Sequence, residues 1–233
     1  MTYDKRFDGR KWDEIRPMEA KVGVVKRADG SAMFRMGKTI AIAAVYGPRA
    51  LHPTFMRDPQ KGLLRCNYNM MSFSGSGERV RPGPSRRSKE ISLVTTNALL
   101  PVLDLSPYPN TVVDVFVELL QTDAGTRCAG INAAAMALAD AGLMMKDLVS
   151  AVSVGKVGDK IVVDLNKEEE DFEEGSTDTP VAMTPRNGEI TLLQLDGNMS
   201  KDELDKALQL AKKACLQIYD VQKKALKAKY GVE

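Results

Sequence analysis

The sequence predicts a mixed α/β fold, with largely antiparallel sheets and helices packed against them. Three observations predict it. Apolar segments of strand length, separated by turn residues, recur over residues 20–48 and again over 151–195. Between them, residues 127–141 form a run of small apolar residues that is too long for a strand. Near the C-terminus, Ser200-Lys-Asp-Glu203 is a capping box opening a long amphipathic stretch. With 233 residues, 43% of them hydrophobic, the chain can bury a substantial core, and no linker divides it. A single domain over 1–233 is expected.

In chain order, Ala28-Asp29-Gly30-Ser31 is expected to turn a strand at Val22–Lys26 into one at Ala32–Met36. Thr39–Tyr46 reads as a buried strand stopped by Gly47-Pro48, with irregular chain over 49–62. Leu63–Ser72 is a further strand candidate. Phe73–Ser85, rich in Gly, Ser, Pro and Arg, is a loop, and Ser85 or Ser88 caps a helix over about 88–103. Thr111–Gln121 alternates, placing Val113, Val115, Val117 and Leu119 on one face and Asp114, Phe116 and Glu118 on the other. Arg127–Ala141 is a helix buried on nearly all sides and closed by Gly142. Two hairpins follow: Ala151–Val157 with Lys160–Leu165, and Val181–Pro185 with Glu189–Leu195 across Asn187-Gly188. The last helix carries Leu204, Ala207, Leu208, Ala211, Cys215 and Ile218 on one face and many lysines on the other.

Composition excludes several functions. The formal net charge is only +2, so any polyanion site must come from local clustering. Three widely spaced cysteines, without a CxxC pair, argue for a reducing compartment and against a structural zinc site. The single histidine, His52, beside Pro53 in a surface loop, argues against histidine-based triads. No apolar run approaches about 20 residues and the start lacks a signal-peptide pattern, so a cytoplasmic protein without membrane spans is expected. Trp12 reads as a packing anchor, and the 12 methionines as fillers of core or interface gaps.

Three segments can carry chemistry. Arg79, Arg81, Arg86, Arg87 and Lys89 cluster just before a helix, where guanidinium groups and the helix N-terminus both attract phosphate. Gly125-Thr126-Arg127 lies at a strand-to-helix junction, combining close backbone approach, a hydroxyl and a charge. Its bland alternative is plain N-capping by Thr126. Six of the seven residues Glu168–Glu174 are acidic, and Asp178 directly precedes an apolar strand. Such carboxylates can hold Mg²⁺ or handle a proton, although most charge runs are only solvated loops.

Asp8-Gly-Arg-Lys11, Glu14-Ile-Arg-Pro17, Lys26-Arg-Ala-Asp-Gly-Ser31, Ala44-Val-Tyr-Gly-Pro-Arg49 and Arg86-Arg-Ser-Lys-Glu-Ile-Ser92 occur in this order. Val113-Asp-Val-Phe-Val117, Leu120-Gln-Thr-Asp-Ala-Gly-Thr-Arg127, Asp140-Ala-Gly142, Val154-Gly-Lys156 and Asp178-Thr-Pro-Val-Ala182 follow. Over nearly its whole length the chain thereby resembles the RNase PH family, and most nearly its catalytic branch in the rings of archaeal RNA exosomes. The resemblance implies an RNase PH-type fold and 3′-to-5′ phosphorolysis of single-stranded RNA, with inorganic phosphate as co-substrate and nucleoside diphosphates as products. It assigns phosphate binding to Arg87, Gly125, Thr126 and Arg127, and RNA binding to Arg65 and Arg86. It makes Asp178 a catalytic residue and metal ligand, Mg²⁺ being the expected ion. The family's second aspartate lies six residues earlier, where this chain has Phe172, so Asp171 is the expected partner, with Glu173 or Glu174 as substitutes. Two further departures are Asn67, where a second RNA-contacting arginine is usual, and one extra residue in the loop Ser72–Arg81. The implied partners are an inactive homologue alternating with this chain in a hetero-hexameric ring, and RNA-binding cap subunits. The competing readings are a non-catalytic RNA-binding scaffold subunit and a homohexameric tRNA-trimming enzyme.

Overall fold

The structure is a computed structural model that describes residues 3–77, 79–172 and 175–231. Its first sheet contains β1 (Met18–Val22), β2 (Gly30–Met36), β3 (Thr39–Ala50), β4 (Leu63–Met70) and β5 (Thr111–Gln121), in the order β1-β2-β3-β5-β4. Neighbours are antiparallel except β4 and β5, which run parallel. Their connection is α1 (Arg86–Leu99), as a parallel crossover requires. The second sheet is antiparallel, with β6 (Ser150–Val157), β7 (Lys160–Val163), β8 (Ser176–Thr184) and β9 (Glu189–Leu193) in the order β7-β6-β8-β9.

The helix α2 (Thr126–Asp140) lies between the sheets, meeting β2, β3 and β5 on one side and β6 and β8 on the other. Its alanines let both sheets approach closely, and thirteen of its fifteen residues are buried, so no face is left for solvent. Ile131, Met136 and Leu138 each contribute about 1.5–3 kcal/mol by leaving water. The buried amide of α2, Asn132, is satisfied by the Ala151 backbone, donating to its carbonyl and accepting from its N–H at 2.8 Å each. Enlarging Ala134 to Leu would overpack this layer and cost about 1–3 kcal/mol.

The helix α4 (Lys201–Tyr230) starts at the expected box: the Ser200 hydroxyl accepts from Glu203 N, and the Glu203 carboxylate accepts from Ser200 N at 2.8 Å. It buries Ala207, Ala211, Ala214, Cys215 and Ile218 and packs on β6, β1, β7 and β8. Trp12 is the packing anchor expected of it, its ring 5.3 Å from that of Tyr3 in a cluster with Phe7 and Phe172.

Several boundaries differ from the sequence reading. The first strand is Met18–Val22, not Val22–Lys26, because Gly23 takes a left-handed φ of +75° and turns the chain. Gly47-Pro48 does not stop β3; a register shift between Tyr46 and Arg49 absorbs it, and pairing with β5 resumes to Ala50. The helix α1 begins at Arg86, capped by Ser85, and gives way to a 3-10 turn at Leu100–Val102. The acidic run contains a short helix, α3 (Lys167–Glu170). Asp178 lies inside β8, not before it.

Candidate active site

One cleft of about 560 Å³ opens where the ends of β4 and β5, the N-termini of α1 and α2, the helix α3 and β8 converge. Its lining includes Arg87, Gly125, Thr126, Arg127, Asp171 and Asp178, all expected from sequence. Arg86 and Arg65 do not line it.

The cationic wall comes from two helix starts. The Ser85 hydroxyl accepts from Ser88 N at 3.0 Å, while the Ser88 hydroxyl accepts from Ser85 N at 2.8 Å. This fixes the direction of α1 and puts Arg87 at the cleft, with Arg81 from the preceding loop beside it. At α2, β5 ends and Ala124 and Gly125 both adopt left-handed backbone, at φ of +54° and +63°. Gly125 is the N-cap and offers no side-chain cap, so Thr126 is the first helical residue and not the cap. The first-turn N–H groups therefore keep their need for an acceptor. Arg127 donates through Nη2 to Glu90 at 3.1 Å, but its buried Nε has no hydrogen-bond partner among the described residues. A buried guanidinium N–H without an acceptor, beside an uncapped helix start, is suited to an anion.

The acidic wall comes from β8 and α3. Asp178 pairs with Gly155 of β6, exchanges backbone hydrogen bonds with Asp196, and accepts a short hydrogen bond from the Ser153 hydroxyl. A side chain at Gly155 would overlap the Thr177 carbonyl, so glycine lets the strands hold Asp178 at this depth. Burial pushes the Asp178 carboxyl above its ordinary pKa and Asp196 adds to the shift, against the pull of Ser153 and Arg127. Glu170 is likewise raised, chiefly by burial and then by the Asp178 charge, with Lys167 and Arg87 opposing. Asp171 instead forms an exposed ion pair with Lys167. Glu170 of α3 thus lines the cleft with Asp178, and the sequence reading did not single it out from the acidic run. Glu173 and Glu174, the substitutes considered there, lie outside the described residues.

Arg65 stands on the exposed face of the first sheet, opposite Asp114 of β5, and makes a two-pronged pair with it at 2.6 and 3.0 Å. Arg86 is exposed at the first position of α1.

A cleft with one cationic and one acidic wall, built at helix starts between two sheets, has the chemistry suited to a phosphate group. The chain belongs to the 3′ exoribonuclease family, also called RNase PH: the model of its domain 1 matches residues 14–144 and that of its domain 2 residues 147–214. The chain is 53% identical to the exosome complex component Rrp41 of Methanopyrus kandleri, the match covering 97% of this chain and 93% of that one. It is 54% identical to Rrp41 of Thermococcus kodakarensis, over 97% of this chain and 90% of that one. Among solved structures, rice Rrp46 superposes with a TM-score of 0.82 at 25% identity, over 95% of this chain and all of that one. A chain of the Archaeoglobus fulgidus exosome with RNA bound to the active site superposes with a TM-score of 0.79, over 93% of this chain and 92% of that one. At 23% identity, this last likeness is one of fold.

Proposed function

We propose that this chain is the catalytic subunit of an archaeal-type exosome ring, shortening single-stranded RNA from its 3′ end by phosphorolysis. The observation that carries this reading is the meeting of an unsatisfied Arg127 Nε and an uncapped α2 start with Asp178 in one cleft. Inorganic phosphate sits between Arg87 and the Gly125–Arg127 turn, charge-neutralised and fixed for in-line attack. Its oxygen bonds to the phosphorus of the last phosphodiester, the bond from that phosphorus to the 3′ oxygen breaks, and a nucleoside diphosphate leaves. Asp178, with its raised pKa, supplies the proton that the departing 3′ oxygen needs.

Mg²⁺ fits the acidic wall. The ion typically takes one or two carboxylates and completes its shell with water and phosphate oxygens, so it needs no closed cage. With the ion bound, Asp178 would be ionised and would hold it with Asp171 or Glu170, and the ion, in place of the proton, would offset charge on the leaving oxygen. Arg86 and Arg65 guide the RNA backbone from outside the cleft. Arg65 reaches it by exchanging Asp114 for phosphate, a bidentate pair for a bidentate pair.

The relatives' names, exosome complex component, support membership of a multi-subunit complex, which we take to be a ring with RNase PH-type partners and RNA-binding cap subunits. Exposed Leu93, Ile190 and Leu193 supply apolar surface for such contacts. Three free buried cysteines suit the reducing cytoplasm. The test is a labelled oligoribonucleotide incubated with this chain, alone and co-expressed with a candidate ring partner, with and without phosphate. Shortening that requires phosphate supports the reading, and equal shortening without phosphate overturns it.

A further inference from the structure

The two walls of the cleft come from different parts of the chain. The α2 turn belongs to the segment matched by the domain 1 model, and α3 and β8 to that matched by domain 2. Arg16 crosses this seam with several hydrogen bonds. It is 5% exposed and lies just before β1. Its Nε and Nη2 grip Asp164 at 2.8 and 2.6 Å, and its backbone N–H donates to the same carboxylate at 2.9 Å. Its Nη1 makes a short hydrogen bond to the Asp123 carbonyl and lies 3.5 Å from the Asp123 carboxylate. Asp123 opens the anion-binding turn. Its other carboxylate oxygen accepts from the backbone N–H of Lys167 at 3.2 Å, the first residue of α3. Asp164 is held in left-handed backbone at φ +56°, three residues before α3. One guanidinium and one carboxylate thus tie the turn at α2 to the start of the helix that carries Glu170 and is followed by Asp171.

We propose that Arg16 and Asp123 are positioning residues for the reaction, setting the separation between the phosphate-binding turn and the acidic wall. This rests on the phosphorolytic reading above. Neither residue lines the cleft. Both act through the residues they hold. A planar fork locked on the Asp164 carboxylate and the Asp123 carbonyl resists displacement in a way that a single ammonium cannot. Misplacement of reacting groups by about 1 Å costs on the order of 100-fold in rate.

The experiment uses the assembled ring and measures single-turnover phosphorolysis, RNA affinity by filter binding, phosphate KM and melting temperature. Asp123 is part-exposed, so Asp123→Ala removes the bridge to Lys167 with little effect on folding. Its kcat should fall by about 10- to 100-fold with RNA affinity unchanged. Asp123→Asn keeps an oxygen for the Lys167 N–H and should recover most of the rate. Arg16→Lys, which keeps charge but loses the fork, should resemble Asp123→Ala in kcat among the molecules that fold. Wild-type kcat in Asp123→Ala overturns the proposal, as does a loss of RNA affinity that matches the loss of rate. Equal rates for Asp123→Ala and Asp123→Asn also overturn it. If the wild-type ring fails to make nucleoside diphosphates, the phosphorolytic reading fails instead. The two failures are therefore separable.

Discussion

At the scale of the residue, Asp178 carries opposite demands for stability and for chemistry. Its folded pKa is raised above the unfolded value, so the folded state binds its proton more readily. Stability from this group therefore rises as pH falls through the raised pKa, and is lower above it. Asp178→Asn removes the buried charge while its amide oxygen can still accept from Ser153. The variant should melt higher than wild type at neutral pH, with the gap closing on acidification below the ordinary carboxylate range. Thermal melts across pH check this. The same variant should lose turnover and keep, or slightly gain, RNA affinity, since a negative charge near phosphate has gone. Near-normal turnover would move the acid or metal role to Glu170. Arg65→Ala should weaken binding to all RNA sequences and reduce the salt slope by about 0.7, one phosphate contact on a single strand, in filter binding at several salt concentrations.

At the scale of the element, α3 shows why so short a helix holds its shape. Asn166 and Glu169 form a capping box, and the Glu169 carboxylate is fully buried against Arg6 at 2.7 Å and the Tyr3 hydroxyl at 2.5 Å. Burial alone would raise the Glu169 pKa, but the hydrogen bonds from Arg6, Tyr3 and Asn166 bring it below the usual carboxylate value. Its contribution is thus present above the unfolded pKa and lost as pH falls through the depressed one. Removing one partner leaves the other buried and uncompensated, so Arg6→Met or Glu169→Gln should cost about 3–5 kcal/mol in urea denaturation. At the start of α2, Gly125→Ala would force left-handed backbone on a residue with a Cβ, 3.3 Å from Arg16 Nη2. About 1–3 kcal/mol of strain and a higher phosphate KM are expected, read by melting and by initial rates.

These elements also mark what sequence could show. The strand β5 is legible from its alternation, α2 from its unbroken small apolar run, and α4 from its capping box, because each pattern is local. The cationic wall is legible in part: the basic cluster before α1 and the Gly125-Thr126-Arg127 junction are local patterns, but only the family resemblance singled out Arg87 from the cluster. Glu169 and Glu170 look alike in the acidic run. One is buried by Arg6, 163 residues away, and the other is raised by burial and by Asp178 across the cleft. Neither fact has a local signal. The Arg16 crossing to Asp123 and Asp164 is hidden in the same way, since it exists only once the two sheets are packed.

At the scale of the whole molecule, α2 is the common wall of both sheets, and the cleft lies where its N-terminus meets the seam between them. The chain alone should form incomplete assemblies by light scattering, and co-expression with an RNase PH-type partner should give a ring of larger mass and higher activity. A fully active monomer would contradict that expectation. The central claim is that phosphate, not water, breaks the RNA chain, and oxygen-18-labelled inorganic phosphate tests it most directly. With the assembled ring and unlabelled RNA, mass spectrometry should find nucleoside diphosphates whose β-phosphate carries the label, and no product when phosphate is withheld. Unlabelled nucleoside monophosphates released at the same rate in phosphate-free buffer would contradict it.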